Sequence, residues 1–306
     1  MVLSDIRIAI YANAKRTRYS FLGFAAGLVL AGCSAQSAQT KTTSQESSMT
    51  TNHATQKQQV RDLLKSIETG DGGPVAAINP DKYIQHNLAA KNGLTGLREL
   101  MAQVPKGSAR AKTIRVFQDG DFVFAHTEYD FFGPKIGFDM FRFESGKIVE
   151  HWDNLEETSA KASPGGHTMI DGPTEAKDLH LTDRNKALVR SFVDDILVNR
   201  RMEKFAGYFD GDRYIQHNPR VPDGVSGMTS ALKGLAEKGI ELKYDRIHRV
   251  LGEGNFVLGV SEGSFAGKPM SFYDLFRVEG GKIAEHWDTL ETIPPRARWK
   301  NDNGKF

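Results

Sequence analysis

Asp139, His151 and Asp153 stand in the phrase DMFRFESGKIVEHWD, and Asp274, His286 and Asp288 stand at the matching places of DLFRVEGGKIAEHWD. Two carboxylates and an imidazole brought to one face of a covered sheet have a definite chemistry. Low dielectric and like charge push carboxylate pKa values up and apart, so that one becomes a proton acceptor while another donates or anchors a hydrogen bond. The neighbours favour cover over solvent. Phe138, Met140, Phe141, Phe272, Leu275 and Phe276 flank the aspartates, Trp152 and Trp287 precede Asp153 and Asp288, and an unpaired charge among such residues is costly.

Whether the two carboxylates of a phrase share a face depends on the turn between them, because a slip of one residue reverses every side chain. A two-residue loop, Ser145-Gly146, sets Asp139 opposite Trp152 and separates the carboxylates. A three-residue loop, Glu144-Ser145-Gly146, has glycine at the left-handed bulge position and sets Phe143 opposite Lys147. The second is expected, since Gly281 holds the place of Gly146. Asp139 then faces His151 at about 5 Å between Cβ atoms and lies diagonal to Asp153 at roughly 7 Å. Arg142 and Arg277 are expected on the opposite face, paired with Glu150 and Glu285.

A second repeated phrase, Tyr-Ile-Gln-His-Asn, occurs at 83–87 and 214–218. It supplies candidate binding groups: Tyr83, His86 and Asn87, and Tyr214, His217 and Asn218, joined by His151, His286, Trp152 and Trp287. Metal binding by His86, His151 and Asp153 fits the ligand types but has no confirming spacing, and no metal is expected. His126 has Val260 in its place in the second copy and is left out of the core chemistry.

The elements that must position these groups are legible from periodicity. Val60, Leu63, Leu64 and Ile67 make one stripe of a helix from Gln56, ended by Gly70-Asp-Gly-Gly73, and Asn185 to about Asn199 repeats it with Leu188, Phe192 and Ile196. Short helices follow at Pro74–Ile78 and Met202–Phe209, then the Tyr-Ile-Gln-His-Asn strands, then helices Leu97–Val104 and Met228–Lys238. After these the period changes to two and hairpins follow. Helices first and antiparallel strands after define an α+β fold of two domains, 56–157 and 184–295, joined by 158–183 and followed by a tail, 296–306.

The start is of another kind. Lys15, Arg16 and Arg18 precede the apolar run Phe21–Leu30, too short to span a bilayer, and Leu30-Ala31-Gly32-Cys33 follows it. The phrase resembles the lipobox of bacterial lipoproteins, which implies a signal peptide over 1–32 and lipid on Cys33. Ser34 after the cysteine points to the outer membrane or cell surface rather than the inner membrane. Residues 33–55, almost without large apolar side chains, read as a flexible tether. The single cysteine leaves an exported protein no disulfide. Of the formal net charge of +2, residues 1–32 hold +3 (four Lys or Arg against one Asp), leaving −1 for the rest. That balance, with no basic stripe, gives no sign of a nucleic-acid partner, and none is expected.

With both phrases in hand, residues 56–157 and 185–292 each resemble SnoaL-like polyketide-cyclase domains of the nuclear transport factor 2-like superfamily. The resemblance implies cone-shaped domains, each a curved antiparallel sheet packed on about three helices around an apolar pocket, paired across the sheet face as an intrachain pseudo-dimer. It implies cofactor-free acid/base chemistry, with the acid/base aspartate at Asp153 and Asp288. The expected function is aldol cyclisation or isomerisation of an apolar carbonyl-containing small molecule at the envelope; the alternative is a tandem module that binds such a molecule without turning it over. Pro219 after Gln-His-Asn, where the first copy has Leu88, favours the second copy.

Overall fold

The computed structural model describes residues 36–105 and 107–306; the lipidation phrase and Cys33 lie outside them. Helix α1 spans Gln36–Thr69. It begins twenty residues before the expected start at Gln56, so the stretch read as tether from Gln36 on is helical. No glycine or proline interrupts 36–69, and nothing in the backbone chemistry stops the helix until Gly70, whose φ of 71° closes it with a bond from its N–H to the Ser66 carbonyl.

A short helix, Gly73–Ala77, leads to β1 (Ile84–Gln85), and α2 (Gly93–Met101) begins four residues before the expected Leu97. Strands β2 (Arg110–Asp119), β3 (Phe122–Asp130), β4 (Pro134–Glu144) and β5 (Lys147–Glu157) follow. The second half repeats the plan with α3 (Thr182–Phe192), a wider turn at Val193–Val198, a short helix at Met202–Tyr208, β6 (Ile215–Gln216), α4 (Gly224–Glu237), β7 (Leu242–Glu253), β8 (Phe256–Phe265), β9 (Lys268–Glu279) and β10 (Lys282–Thr292). The α+β class is as expected. Two five-stranded sheets form, ordered β1-β5-β4-β3-β2 and β6-β10-β9-β8-β7. They are not wholly antiparallel, because β1 lies parallel to β5 and β6 parallel to β10.

Both faces of each sheet are covered. Alternate residues Val123, Ala125, Phe141 and Phe143 pack under Val60, Leu63 and Leu64 of α1, and Val257, Phe276, Val278 and Ile283 pack under Val189, Phe192 and Ile196. The intervening residues, Phe124, Phe138, Met140 and Trp152, meet Phe256, Leu258, Leu275 and Trp287 in one apolar cluster between the sheets. A strand with period two buried on both sides reads as nearly continuous apolar sequence, which is why the aspartates stand out in β4 and β9.

The segment 158–183 and the residues after 296 cross between the halves in a reciprocal way. Thr168 O lies 2.7 Å from Nδ1 of His217. In the other direction, Gly304 O lies 2.8 Å from Nδ1 of His86, and Asn301 and Asn303 bond the carbonyls of Asn87 and Gln85.

Candidate active site

The turn between the two strands of each phrase has two residues, not the expected three. Glu144 pairs with Lys147 and Glu279 with Lys282, and Ser145, Gly146, Gly280 and Gly281 have φ of 48°, 76°, 58° and 74°. Two positive φ values in succession are those of a type I′ hairpin, whose twist matches the flanking strands. By itself that loop separates the carboxylates. A bulge prevents it: Phe143 faces Ile148 while Arg142 faces Glu150, so Val149 is an extra residue, and Ala284 is its counterpart. The register recovers one step, and Asp139 lies directly opposite Asp153, as Asp274 does Asp288. His151 and His286 are the diagonal neighbours.

In the second half, Nε2 of His286 lies 3.1 Å from Oδ1 of Asp274 and Nδ1 lies 3.0 Å from Oε1 of Gln216. The Tyr244 hydroxyl donates to Asp274 at 3.2 Å. Asn218 Nδ2 donates to Oδ2 of Asp288 at 2.7 Å, and Oδ1 of Asp288 is buried with no hydrogen-bond partner among the described residues. The first half repeats the pattern: His151 with Asp139 at 3.1 Å and with Gln85 at 2.8 Å, Tyr129 with Asp139 at 2.6 Å, and Asn87 with Asp153. One contact differs. Lys305, 4 % exposed, places its ammonium 3.6 Å from Oδ1 of Asp153 and 2.7 Å from Glu291.

Burial pushes the Asp288 carboxyl up; His286 and Asn218 pull it back, and the Asp274 charge adds to the rise. Burial opposes a charge on His286, but its hydrogen bond to Asp274 and the charges of Asp288 and Asp274 outweigh this and raise it. Burial, then the aspartate charges, hold the Tyr214 and Tyr244 hydroxyls protonated far above the ordinary range. The second half thus has a carboxylate of raised basicity with one oxygen left unbonded among the described residues, beside an imidazole of raised basicity and hydroxyl donors. Tyr83 is buried in the first half in the same relation to Asp153 and Asp139.

Four expected binding residues belong elsewhere. In a strand where Gln85 and Asn87 point to the aspartates, His86 must point away. It pairs with Glu150 at 2.9 Å and stacks on Trp152 at 4.6 Å. His217 pairs likewise with Glu285 at 2.8 Å and stacks on Trp287 at 4.4 Å. Both tryptophans lie in the inter-sheet cluster, where Arg249 and Arg115 of the opposite halves cover them at 4.1 and 4.4 Å. The set His86, His151 and Asp153 is therefore not assembled. Arg142 and Arg277 pair with Glu150 and Glu285 as expected.

Gln85, Gln216, Tyr129, Tyr244 and Lys305 are site residues that sequence reasoning missed. The glutamines were within reach, since they stand two residues before Asn87 and Asn218 and share their face. The tyrosines were not: Tyr129 is on β3 opposite Ala111 of β2, whereas Tyr244 is on β7 opposite Gly263 of β8, so the hydroxyl comes from different strands in the two halves. Asp139, His151 and Asp153, and Asp274, His286 and Asp288, also bring three potential ligand atoms within 4.8 Å of one another. Two grooves, about 460 Å³ beside Tyr214 and Arg277 and about 290 Å³ beside Arg184 and Leu188, lie outside both sets.

No family model matches the chain, and a search of curated proteins finds no match. Among solved structures the chain is similar to TsrD from Streptomyces laurentii (20% identity over 34% of this chain and 89% of that one, TM-score 0.30). It is similar also to IdmH from Streptomyces antibioticus, described as a candidate polyketide cyclase (20%, 33% and 91%, TM-score 0.28). A third is an NTF-2 like protein of unknown function from Burkholderia xenovorans (16%, 37% and 89%, TM-score 0.32). Each likeness reaches about a third of the chain, and at these scores it adds nothing to what the side chains say.

Proposed function

We propose that the chain is an envelope-anchored SnoaL-like protein with two domains, 56–157 and 184–295, whose second domain catalyses cofactor-free proton transfer on an apolar carbonyl compound, as in aldol cyclisation or isomerisation. The observation that carries this is the free, buried Oδ1 of Asp288. A buried carboxylate oxygen without a partner is costly unless something is to bind it, and its raised pKa suits a base that takes a proton alpha to a carbonyl. Asn218 fixes the other oxygen, and His286 and Tyr244, both oriented by Asp274, supply the donors that a developing enolate oxygen needs. The lipid on Cys33 places this chemistry at the outer membrane or cell surface, and the two domains pair within one chain.

Solvent deuterium entering the alpha position of an apolar cyclic ketone, followed by NMR, tests the reading. Wild type exchanges the label, and Asp288→Asn slows exchange about a hundredfold or more; a wild type with no exchange above buffer refutes catalysis. The non-catalytic alternative is favoured for the first domain by Lys305, whose ammonium engages Asp153. There Asp153→Asn leaves the exchange rate essentially unchanged.

A further inference from the structure

One cluster has no part in either aspartate site. His167 and Asp171, in the segment between the domains, meet His217 of β6's phrase on the sheet face away from Asp288. Nδ1 of His217 lies 2.7 Å from Oδ1 of Asp171, Nδ1 of His167 lies 3.9 Å from Oδ2, and the three ligand atoms lie within 4.8 Å of one another. The other nitrogen of each ring is already held by a carboxylate: His217 Nε2 by Glu285 at 2.8 Å and His167 Nε2 by Asp223 at 3.1 Å. Glu285 is fixed in turn by Nε of Arg277 at 2.5 Å. A histidine that ligates a metal through one nitrogen typically donates the other N–H to a carboxylate in this way, which sets the tautomer and raises ligand basicity.

The first half provides an internal control. His86, the counterpart of His217, has its carboxylate partner Glu150 and its carbonyl partner Gly304, the counterparts of Glu285 and of Thr168, which lies 2.7 Å from Nδ1 of His217. Holding a crossing segment in place needs no more than that. His167 and Asp171 are additions of the second half, and both converge on the nitrogen that the structural role already satisfies. Their side chains are 31 % and 45 % exposed, which leaves an ion a way in.

We propose that His167 Nδ1, His217 Nδ1 and the Asp171 carboxylate bind one divalent transition-metal ion of the zinc class. Two imidazoles and a carboxylate suit zinc and leave a fourth position for water. Binding displaces the proton that His217 Nδ1 shares with Thr168 O and Asp171, so affinity falls as pH falls. The ion joins 158–183 to the second domain.

The test uses the untagged chain, stripped with EDTA and dialysed free of it, titrated with zinc by calorimetry and with cobalt by visible absorption. One equivalent binds, cobalt gives the intense bands of a four-coordinate site, and zinc raises the thermal midpoint. His167→Gln and Asp171→Asn, both at accessible side chains, each weaken binding about 10- to 100-fold and abolish the midpoint shift. Asp153→Asn and Asp288→Asn leave the stoichiometry at one. The proposal is overturned if wild type retains no zinc, if the His167→Gln/Asp171→Asn double variant binds as wild type does, or if Asp288→Asn alone removes the ion, which would assign it to the aspartate set.

Discussion

Asp153 and Asp288 have the same strand position, an asparagine donor and an opposing aspartate in common, and differ in how a cation meets them: Lys305 reaches Asp153, whereas Arg220 pairs with Glu156 and acts on Asp288 only through its charge. Lys305 engages Asp153, and among the described residues nothing bonds Oδ1 of Asp288. The pH dependence of the proposed reaction follows. Activity rises as Asp288 deprotonates, with that limb above the ordinary 3.8, and falls as His286 loses its proton, with that limb above 6.5. Asp274→Asn removes the main hydrogen bond that raises His286 and moves the alkaline limb down, which a rate profile reads directly. Stability runs the other way. The folded pKa of Asp288 lies above its unfolded value, so its ionisation costs stability increasingly as pH rises through 3.8 to the folded value. At neutral pH Asp288→Asn therefore melts at or above the wild-type midpoint while losing exchange. Lys305→Met leaves the buried Asp153 and the half-buried Glu291 without a counterion and destabilises by about 3–5 kcal/mol in denaturant titration. The aspartates and histidines were legible because their types clash with the strands around them. The tyrosines were not, because an Ala111–Tyr129 pair in one sheet is a Tyr244–Gly263 pair in the other, and a repeat compared position by position does not see a hydroxyl delivered from the next strand.

The hairpin β9–β10 shows how two local features compensate. The type I′ turn follows from the need for positive φ at both central residues, and the bulge at Ala284 restores the register that the turn displaces. Sequence reasoning reached the right face for Asp139, Asp153 and His151 through a wrong loop, since one extra residue was assigned to the turn instead of to the strand beyond it. Turn residues have a compositional signature; a bulge of Val149 or Ala284 has none. Gly281→Ala, at φ 74°, costs on the order of 1–2 kcal/mol and leaves the chemistry intact. Deleting Ala284 takes out only the extra residue, so Glu285 still faces Arg277 and Asp288 still faces Asp274, and exchange is retained. Inserting one alanine after Glu285 instead puts Trp287 where Asp288 stands and abolishes exchange, which separates the register from the turn and the bulge that set it.

The two sheets bury their outer faces on each other and exchange bonds across the contact. Leu155 N–H donates to Glu291 and Leu290 N–H to Glu156, each at 3.0 Å, and Asn154 Nδ2 reaches Thr289 O at 2.8 Å. Trp152 and Trp287 stand in the shared cluster with no exposure. Trp152→Ala is expected to cost about 3–5 kcal/mol and to lower both halves together, so urea unfolding followed by fluorescence and by circular dichroism gives one coincident transition; two separated transitions refute the coupling. The α+β class and the double plan were legible in the repeated phrases. The crossing of 158–183 and 296–306 onto opposite halves was not, because loops without periodicity give no sign of which strand they will meet.

That crossing sets a timetable. A chain made from its N-terminus forms its first half first, and the second half, when it emerges, finds Thr168 and its neighbours already synthesised. Among the described residues the first half has no such piece waiting. His86, Asn87 and Asp153 stay uncapped until residues 301–305 have left the ribosome, so the half that is made first is the half that is finished last.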